Sequence, residues 1–230
     1  MTNTDESEFA QRHPKDGQKF TDLIQIARPD WTVDVFAVKD GEFPRDVSHF
    51  DGVMITGSPS SARSDFGWIA QLLDLIRQMD DNRIPMFGAC FGHQAIARAL
   101  GGQLGRNPGG WVHGLTRSRV DFRPDWAAEL PTDLKLYGSH IEHVTKLPDQ
   151  ARATMVGSNG HIAGFVIGDH IYTTQHHPEM THDFISALTN EMAADLGDDL
   201  YAKAQASLSE RSDMAAFAES IARFFEHSRG

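Results

Sequence analysis

A chain with one cysteine cannot hold an internal disulfide, and Cys90 is the only one in these 230 residues. That fits a reducing compartment, with the cytoplasm as the expected location, where a thiolate survives. There is also no uninterrupted apolar run of about 18 residues, the length a membrane-spanning helix needs. The opening residues Met1-Thr2-Asn3-Thr4-Asp5-Glu6 are polar and acidic, which is not the pattern of a signal peptide. Basic residues are scarce: 21 Lys and Arg stand against 32 Asp and Glu, a formal charge of −11. Nothing here forms the basic stripe that nucleic acid or an anionic membrane would require. What remains is a chain of the right length for one well-buried α/β domain over residues 1–230.

The lone cysteine sits in Gly88-Ala89-Cys90-Phe91-Gly92, between the apolar stretch Ile84-Pro85-Met86-Phe87 and the helical pattern from His93 to Leu100, which Gly101-Gly102 closes. By default a lone cysteine is a small buried hydrophobe. The flanking glycines and the strand-turn-helix context argue instead for a nucleophile elbow. Glycine lets the backbone turn sharply and leaves the sulfur uncovered. The first amides of the following helix favour the thiolate.

A nucleophilic thiol needs a base, and the base needs an orienter. The strand pattern His170-Ile171-Tyr172-Thr173-Thr174-Gln175 runs into His176-His177-Pro178-Glu179. Pro178 fixes its own φ and biases His177 toward an extended backbone, which brings the Glu179 carboxylate within reach of the imidazole.

Helix and strand patterns alternate along the chain. Phe20, Leu23, Ile24 and Ala27 recur at helical spacing, and Trp31 to Val38 alternates as a strand. Gly52–Thr56 is a short apolar strand, and Trp68, Ile69, Leu72, Leu73, Ile76 and Met79 mark one helix face. This order predicts a mostly parallel sheet covered on both faces. Reactive groups then gather at the strands' carboxyl ends, where Gly57, Cys90 and His177 fall. From Ser118 onward the strands crowd together as Ser118–Phe122, Leu134–Tyr137, Arg152–Val156, Ile162–Ile167 and Ile171–Thr174, with turns suited to antiparallel connections. A helical tail from Thr181 ends in the amphipathic stretch Met214 to Phe225, read as a covering helix. The glycine-rich stretches Gly101–Gly105 and Pro108–Gly110 follow no strand and open no helix, so they read as turns and not as a dinucleotide site. Trp111 is either a wall of the site or a core aromatic.

Gly-Ala-Cys-Phe-Gly-His-Gln at residues 88–94, with Gln-His-His-Pro-Glu at 175–179, resembles the paired motifs of class I glutamine amidotransferases, G-x-C-x-G-x-Q and Q-x-H-P-E. The resemblance runs over about residues 5 to 190. It implies a flavodoxin-like three-layer α/β sandwich with a small antiparallel sheet. It makes Cys90 the nucleophile, His177 the general base and acid, and Glu179 the orienting carboxylate. His176 falls on the motif's variable position. Ile55-Thr56-Gly57-Ser58-Pro59 resembles the turn that lends an amide to the oxyanion hole, which implies backbone donors at Gly57 or Ser58 and at Phe91. Ser139-His140-Ile141-Glu142-His143-Val144 resembles the S-H-x-D-x-V segment lining the glutamine pocket, with Glu142 in place of Asp. On that likeness Gln94 and the backbone of Gly138, Ser139, His140 and Ile141 seat the glutamyl group. His140 and His143 then belong to a pocket and not to a metal site, and neither metal nor cofactor is expected.

Within that family the stand-alone branch that includes plant gamma-glutamyl peptidases is the nearest likeness, through Asp5–Phe9, Val38–Pro44 and Gly57-Ser58-Pro59. Three readings follow: a γ-glutamyl hydrolase or peptidase, a glutaminase subunit passing ammonia to a separate synthase partner, and a non-catalytic regulatory module on the same fold. The expected ligand is glutamine or a small γ-glutamyl compound. One departure stands out. The family's first apolar strand, which precedes the acidic segment, is missing, and Met1-Thr2-Asn3-Thr4 stands where it should end. The expectation is a late start at Met1; otherwise the sheet has a gap beside the elbow strand or Met1–Thr4 supplies a stub of the pairing.

Overall fold

The computed structural model describes residues 1–2 and 6–228; Asn3, Thr4 and Asp5, part of the N-terminal readings above, lie outside the described residues. In chain order the elements are α1 (Glu8–Gln11), α2 (Asp16–Ala27), β1 (Val53–Ile55), α3 (Gly67–Asp81), β2 (Met86–Ala89), α4 (Phe91–Ala99), β3 (Gln103–Arg106), β4 (Val112–Val120), β5 (Asp133–His140), β6 (Glu142–Lys146), β7 (Arg152–Gly157), β8 (Ile162–Ile167), β9 (Ile171–Thr174), α5 (His182–Glu191), α6 (Ala193–Ser207) and α7 (Met214–His227). Among the described residues no helix is long and apolar enough to cross a membrane.

One sheet runs β1-β2-β9-β8-β7-β4-β5, and β3 pairs with β6 in a second, antiparallel one. β1, β2 and β9 are parallel, with Met86 opposite both Val53 and Ile171. The four remaining pairings in the large sheet are antiparallel. The α/β sandwich is thus as expected, with a mixed sheet whose parallel part is the three strands that carry the site.

The pleat sorts the core into two layers. Phe87, Ala89 and Tyr172 face Phe20, Leu23 and Ile24 of α2 and Phe217, Ile221 and Phe224 of α7. Ile55, Met86 and Ile171 face Ile69, Leu72 and Ile76 of α3 and Ala95 and Ile96 of α4. All four residues of β2 are buried, as a strand covered on both faces requires. The covering helix expected at the C-terminus is α7, and Tyr172 stacks on its Phe217 at 5.6 Å.

Three local readings need correction. Trp31–Val38 forms no strand; among the described residues its ladder contact is the parallel bridge of Ala37 with Thr2, and Val38 begins a 3-10 turn. Gln103–Arg106 is a strand and not part of a glycine turn, because Leu104 meets Val144 across the small sheet. The segment Ser139–Val144, a pocket loop on the family likeness, instead ends β5 and begins β6.

At the N-terminus, Met1 donates to the Met54 carbonyl at 2.7 Å and accepts from the Thr56 amide at 3.1 Å. Thr2 donates to Phe36 and accepts from Val38 on the other side. Two residues therefore pair in both directions, in the lane between β1 and the 31–38 segment. The sequence pattern puts this lane beside the elbow strand; in the structure it lies beside β1, one strand further out. Beyond the stub the lane is a cleft of about 520 Å³ edged by Trp31, Val33, Phe36, Phe50, Val53 and Met54. Burial pulls the Met1 amine down to about 5.

Candidate active site

β1, β2 and β9 deliver three loops to one edge of the sheet. At the end of β2, Cys90 has φ 49° and ψ −102°, a region that costs a non-glycine residue on the order of 1–3 kcal/mol. The surroundings impose it. The Cys90 amide donates to Thr174 of β9 at 2.9 Å, and the Gly92 amide donates to Thr56 beyond β1 at 3.1 Å. A Cβ on Gly92 would stand 2.2 Å from the Ile55 carbonyl oxygen, and one on Gly88 would stand 2.7 Å from the Gly92 carbonyl carbon. Both glycines are there because backbone passes where a side chain would be.

Past β9 the chain bridges to β5, with the His177 amide donating to the Tyr137 carbonyl at 2.8 Å. Extended backbone alternates its side chains, so the tandem histidines part. His176 turns inward, where its Nε2 meets the Ser118 hydroxyl at 3.1 Å. His177 faces the cleft, with its Nδ1–H directed to Glu179 Oε1 at 2.7 Å. The pair is buried, with side chains 7% and 4% exposed. Among the described residues His177 Nε2 has no partner within hydrogen-bond geometry. Cys90 and His177 flank Gly57: a Cβ there would be 2.8 Å from His177 Cε1 and 3.8 Å from Cys90 Cβ. Burial alone would lower the imidazole pKa. The charges of Glu179 and then of Cys90 outweigh it and hold the ring well above its ordinary value.

Beside the sulfur, the Thr56 hydroxyl donates to the Gly57 carbonyl at 2.9 Å. Fixing that carbonyl also fixes the Ser58 N–H, which points the opposite way in the same planar peptide. Phe91 supplies the first amide of α4. Gln94 donates to the Glu142 carbonyl at 2.9 Å and to Gln175 Oε1 at 3.3 Å, and Gln175 Nε2 approaches Cys90 Sγ at 3.8 Å. Gln175 is fully buried. Sequence reasoning gives it no role, although it heads the Gln-His-His-Pro-Glu motif. Glu142 accepts from Ser61 at 2.6 Å and from Arg63 at 3.2 Å, which fastens the loop after Ser58 to β6; no sequence signal marks that link.

These residues surround a cleft of about 520 Å³. Gly57, Ser58, Cys90, Phe91, Gln94, Ser139, His140, Ile141, His177 and Glu179 all line it, as does Trp111. Gly138 does not: it lies behind the wall, opposite Gly114 in the ladder, where a Cβ would press on Thr116 at 2.7 Å. Ser139 is engaged by His113 at 3.1 Å and by the Met192 sulfur at 3.6 Å. His140 turns Nδ1 to the Glu142 carbonyl at 3.1 Å, and burial, then His161, press its pKa down to about 3. No three metal-ligating side chains converge among the described residues.

The family description "Glutamine amidotransferase class-I" matches residues 25–188. The chain belongs to the class-I glutamine amidotransferase family. Among the relatives of this amidotransferase-family chain, gamma-glutamyl peptidase 4 of Arabidopsis thaliana is 32% identical over 199 residues, 83% of this chain and 78% of the relative. A subunit of the glutamine-hydrolyzing GMP synthase of Haloarcula marismortui is 29% identical, over 71% of this chain and 82% of the relative. A glutamine amidotransferase from Thermotoga maritima superposes with a TM-score of 0.78 over 96% of this chain and 95% of its own, at 19% identity.

Proposed function

We propose that the protein hydrolyses the γ-glutamyl amide bond of glutamine or a γ-glutamyl compound through a thioester on Cys90. The observation that carries this reading is the buried His177–Glu179 pair facing a thiol held at a strained elbow. The relatives support amide hydrolysis as the class of reaction. In the first half-reaction the Cys90 sulfur bonds to the amide carbon. The carbonyl oxygen takes the negative charge against backbone amides at Ser58 (or Gly57) and Phe91. Each such donor is worth about 2.7–4 kcal/mol in the transition state. The C–N bond then breaks as His177 gives its proton to the leaving amine. In the second, His177 takes a proton from water, the hydroxide attacks the thioester, the C–S bond breaks and glutamate departs. Glu179 keeps Nδ1 protonated and the ring aimed. Gln94 with Ser139, His140 and Ile141 seats the glutamyl group, and Gln175 holds the sulfur in place.

Purified protein is incubated with glutamine and with γ-glutamyl amides and dipeptides, and glutamate release is measured. Cys90→Ser removes the release while the melting temperature stays within a few degrees; retention of activity would identify another nucleophile. The GMP synthase relatives that are separate subunits favour a second reading, a glutaminase that feeds ammonia to a separate synthase. Efficient glutamine hydrolysis only in the presence of such a partner would select it. A chain inert toward every substrate, alone or partnered, would be the regulatory module.

A further inference from the structure

The cleft has two unlike walls. The side assigned to the glutamyl group is polar and comes from α4 and the end of β5. The opposite side comes from α1, α2 and α5, and between charged residues at its edges it carries an apolar stripe. Phe184 and Leu188 on α5 and Met192 at its C-cap lie one turn apart, half-buried, and line the cleft together with Phe9. The intervening Ile185 and Thr189 are fully buried and point away, Ile185 into the cluster with Tyr137 and Thr189 to His113. α5 therefore packs Ile185 into the core, while Phe184 and Leu188 rest on the edge of that cluster and show their remaining surface to the site. An apolar stripe half-open to water costs hydration free energy unless something covers it.

Of the charged groups on this wall, Asp16, Lys19 and Glu191 are paired, while Lys15 and Asp195 stand at its rim. Lys19 bonds Asp16 at 3.1 Å and lies over the Phe184 ring at 3.7 Å from its centre. Glu191 pairs with Arg12 at 3.2 Å. Phe9 rests against Phe184 with ring centroids 5.7 Å apart, so the aromatic end of the stripe is braced from above. At the other end, Met192 takes the Ser139 hydroxyl and ties the stripe to the glutamyl segment.

We propose that this wall is the subsite for the leaving amine, and that it selects γ-glutamyl amides whose amine carries a large apolar or aromatic body. The inference rests on the reading of Cys90 as the nucleophile of γ-glutamyl hydrolysis and names the substrate class within it. Ammonia, the leaving group from glutamine, has nothing to place against Phe184, Leu188 and Met192. An apolar body does, and contact made there in the transition state raises kcat/KM. Hydrophobic pockets discriminate by about 10–200-fold per missing methylene, so the preference is large enough to read directly.

The test uses the full chain and four substrates: γ-glutamylphenylalanine, γ-glutamyl phenethylamide, γ-glutamylglycine and glutamine. The expected kcat/KM for γ-glutamylphenylalanine is at least tenfold above that for γ-glutamylglycine and glutamine. The phenethylamide, which lacks the carboxylate, keeps that advantage. Leu188→Ala collapses the phenylalanine-to-glycine ratio by about tenfold, whereas Leu188→Met preserves it, with melting temperatures measured for both. Equal values across the four substrates, a preference for glutamine, or a ratio that Leu188→Ala leaves intact overturns the subsite while γ-glutamyl hydrolysis stands. Loss of the advantage in the phenethylamide alone transfers the selectivity to the carboxylate and also overturns it. Absence of Cys90-dependent glutamate release from all four defeats both readings.

Discussion

Gly57→Ala tests the geometry of the candidate catalytic centre without touching any group proposed to react. The new Cβ would sit 2.8 Å from His177 Cε1 and 3.8 Å from Cys90 Cβ. Ordinary contact begins at 3.4 Å, so about 0.6 Å has to be found. The ring has little room to give it. Its backbone is bound to Tyr137 at 2.8 Å and its Nδ1 to Glu179 at 2.7 Å, and Pro178 stiffens the segment between. The loop of Gly57 is tied by Thr56 as well. Both sides yield in part, and the imidazole moves by several tenths of an ångström. A misplacement of about 1 Å costs roughly 10²-fold, so the expected loss in kcat is about 10- to 100-fold, or about 1.4–2.7 kcal/mol of barrier. Gly57 has no positive φ, so alanine fits the backbone and thermal stability changes little. The assay pairs glutamate release with a melting curve. A variant that melts like wild type and also turns over like wild type would show that His177 is not positioned beside the reacting thiol, and the reasoning would fall.

Gly92→Ala is a folding mutant and not a kinetic one, because its Cβ meets the Ile55 carbonyl at 2.2 Å; soluble yield and melting temperature drop steeply, and a normally stable variant would contradict the packing of the elbow. His177→Ala removes nearly all glutamate release. His176→Ala keeps most of it but loses on the order of 1 kcal/mol of stability with the Ser118 hydrogen bond; the reverse order in a denaturant titration with parallel kinetics would mean that the base is the other histidine. Acid should unfold the protein early. His93 and His140 are pressed to about 3 and His113 to about 4, by burial first. The unfolded chain binds protons at these sites from about pH 6.5 downward while the folded chain does not, so stability is full above that pH and falls between about 6.5 and 3, at up to about 1.4 kcal/mol per unit for each histidine. Denaturant midpoints measured from pH 7 to 4 check this, and His93→Gln should flatten the slope; a flat midpoint in the parent chain would refute it.

The candidate site is largely legible in the sequence because its chemistry is compressed into local motifs. A G-x-C-x-G turn dictates its own backbone, and His-Pro-Glu places the candidate base and its carboxylate two residues apart, so neither needs the fold to be known. The choice between His176 and His177 comes from the motif register, and the structure adds a physical reason, the alternation of extended backbone. The rest depends on contacts between distant segments. Gln175 acquires its position through Gln94 of α4, and Glu142 holds the Ser58 loop through Ser61 and Arg63. No spacing in the chain announces these. Gly138 escapes the sequence pattern for a related reason: it still lies within the β5 ladder opposite Gly114, and only the end of that strand, from Ser139 on, reaches the cleft.

The segment from Trp31 to Val38 shows where pattern reading stops. Its alternation is that of a strand, yet a strand is a property of a pair. Strand propensity expresses packing on a pleated surface and not a backbone preference of its own. Among the described residues the neighbouring lane pairs through Met1 and Thr2, so there Phe36 and Val38 find partners and Thr32 to Val35 do not. Val35 is consequently 51% exposed despite its apolar side chain. The short β1 makes the same point from the other flank. It is a strand of three residues, paired with β2 on one side and, among the described residues, with Met1 on the other. The elbow tolerates that thin support because its own hydrogen bonds run to β9 through Thr174 and to the end of β1 through Thr56. The geometry of the site thus hangs on β2 and β9, the two strands buried along their whole length, and the unpaired lane lies one strand removed from it.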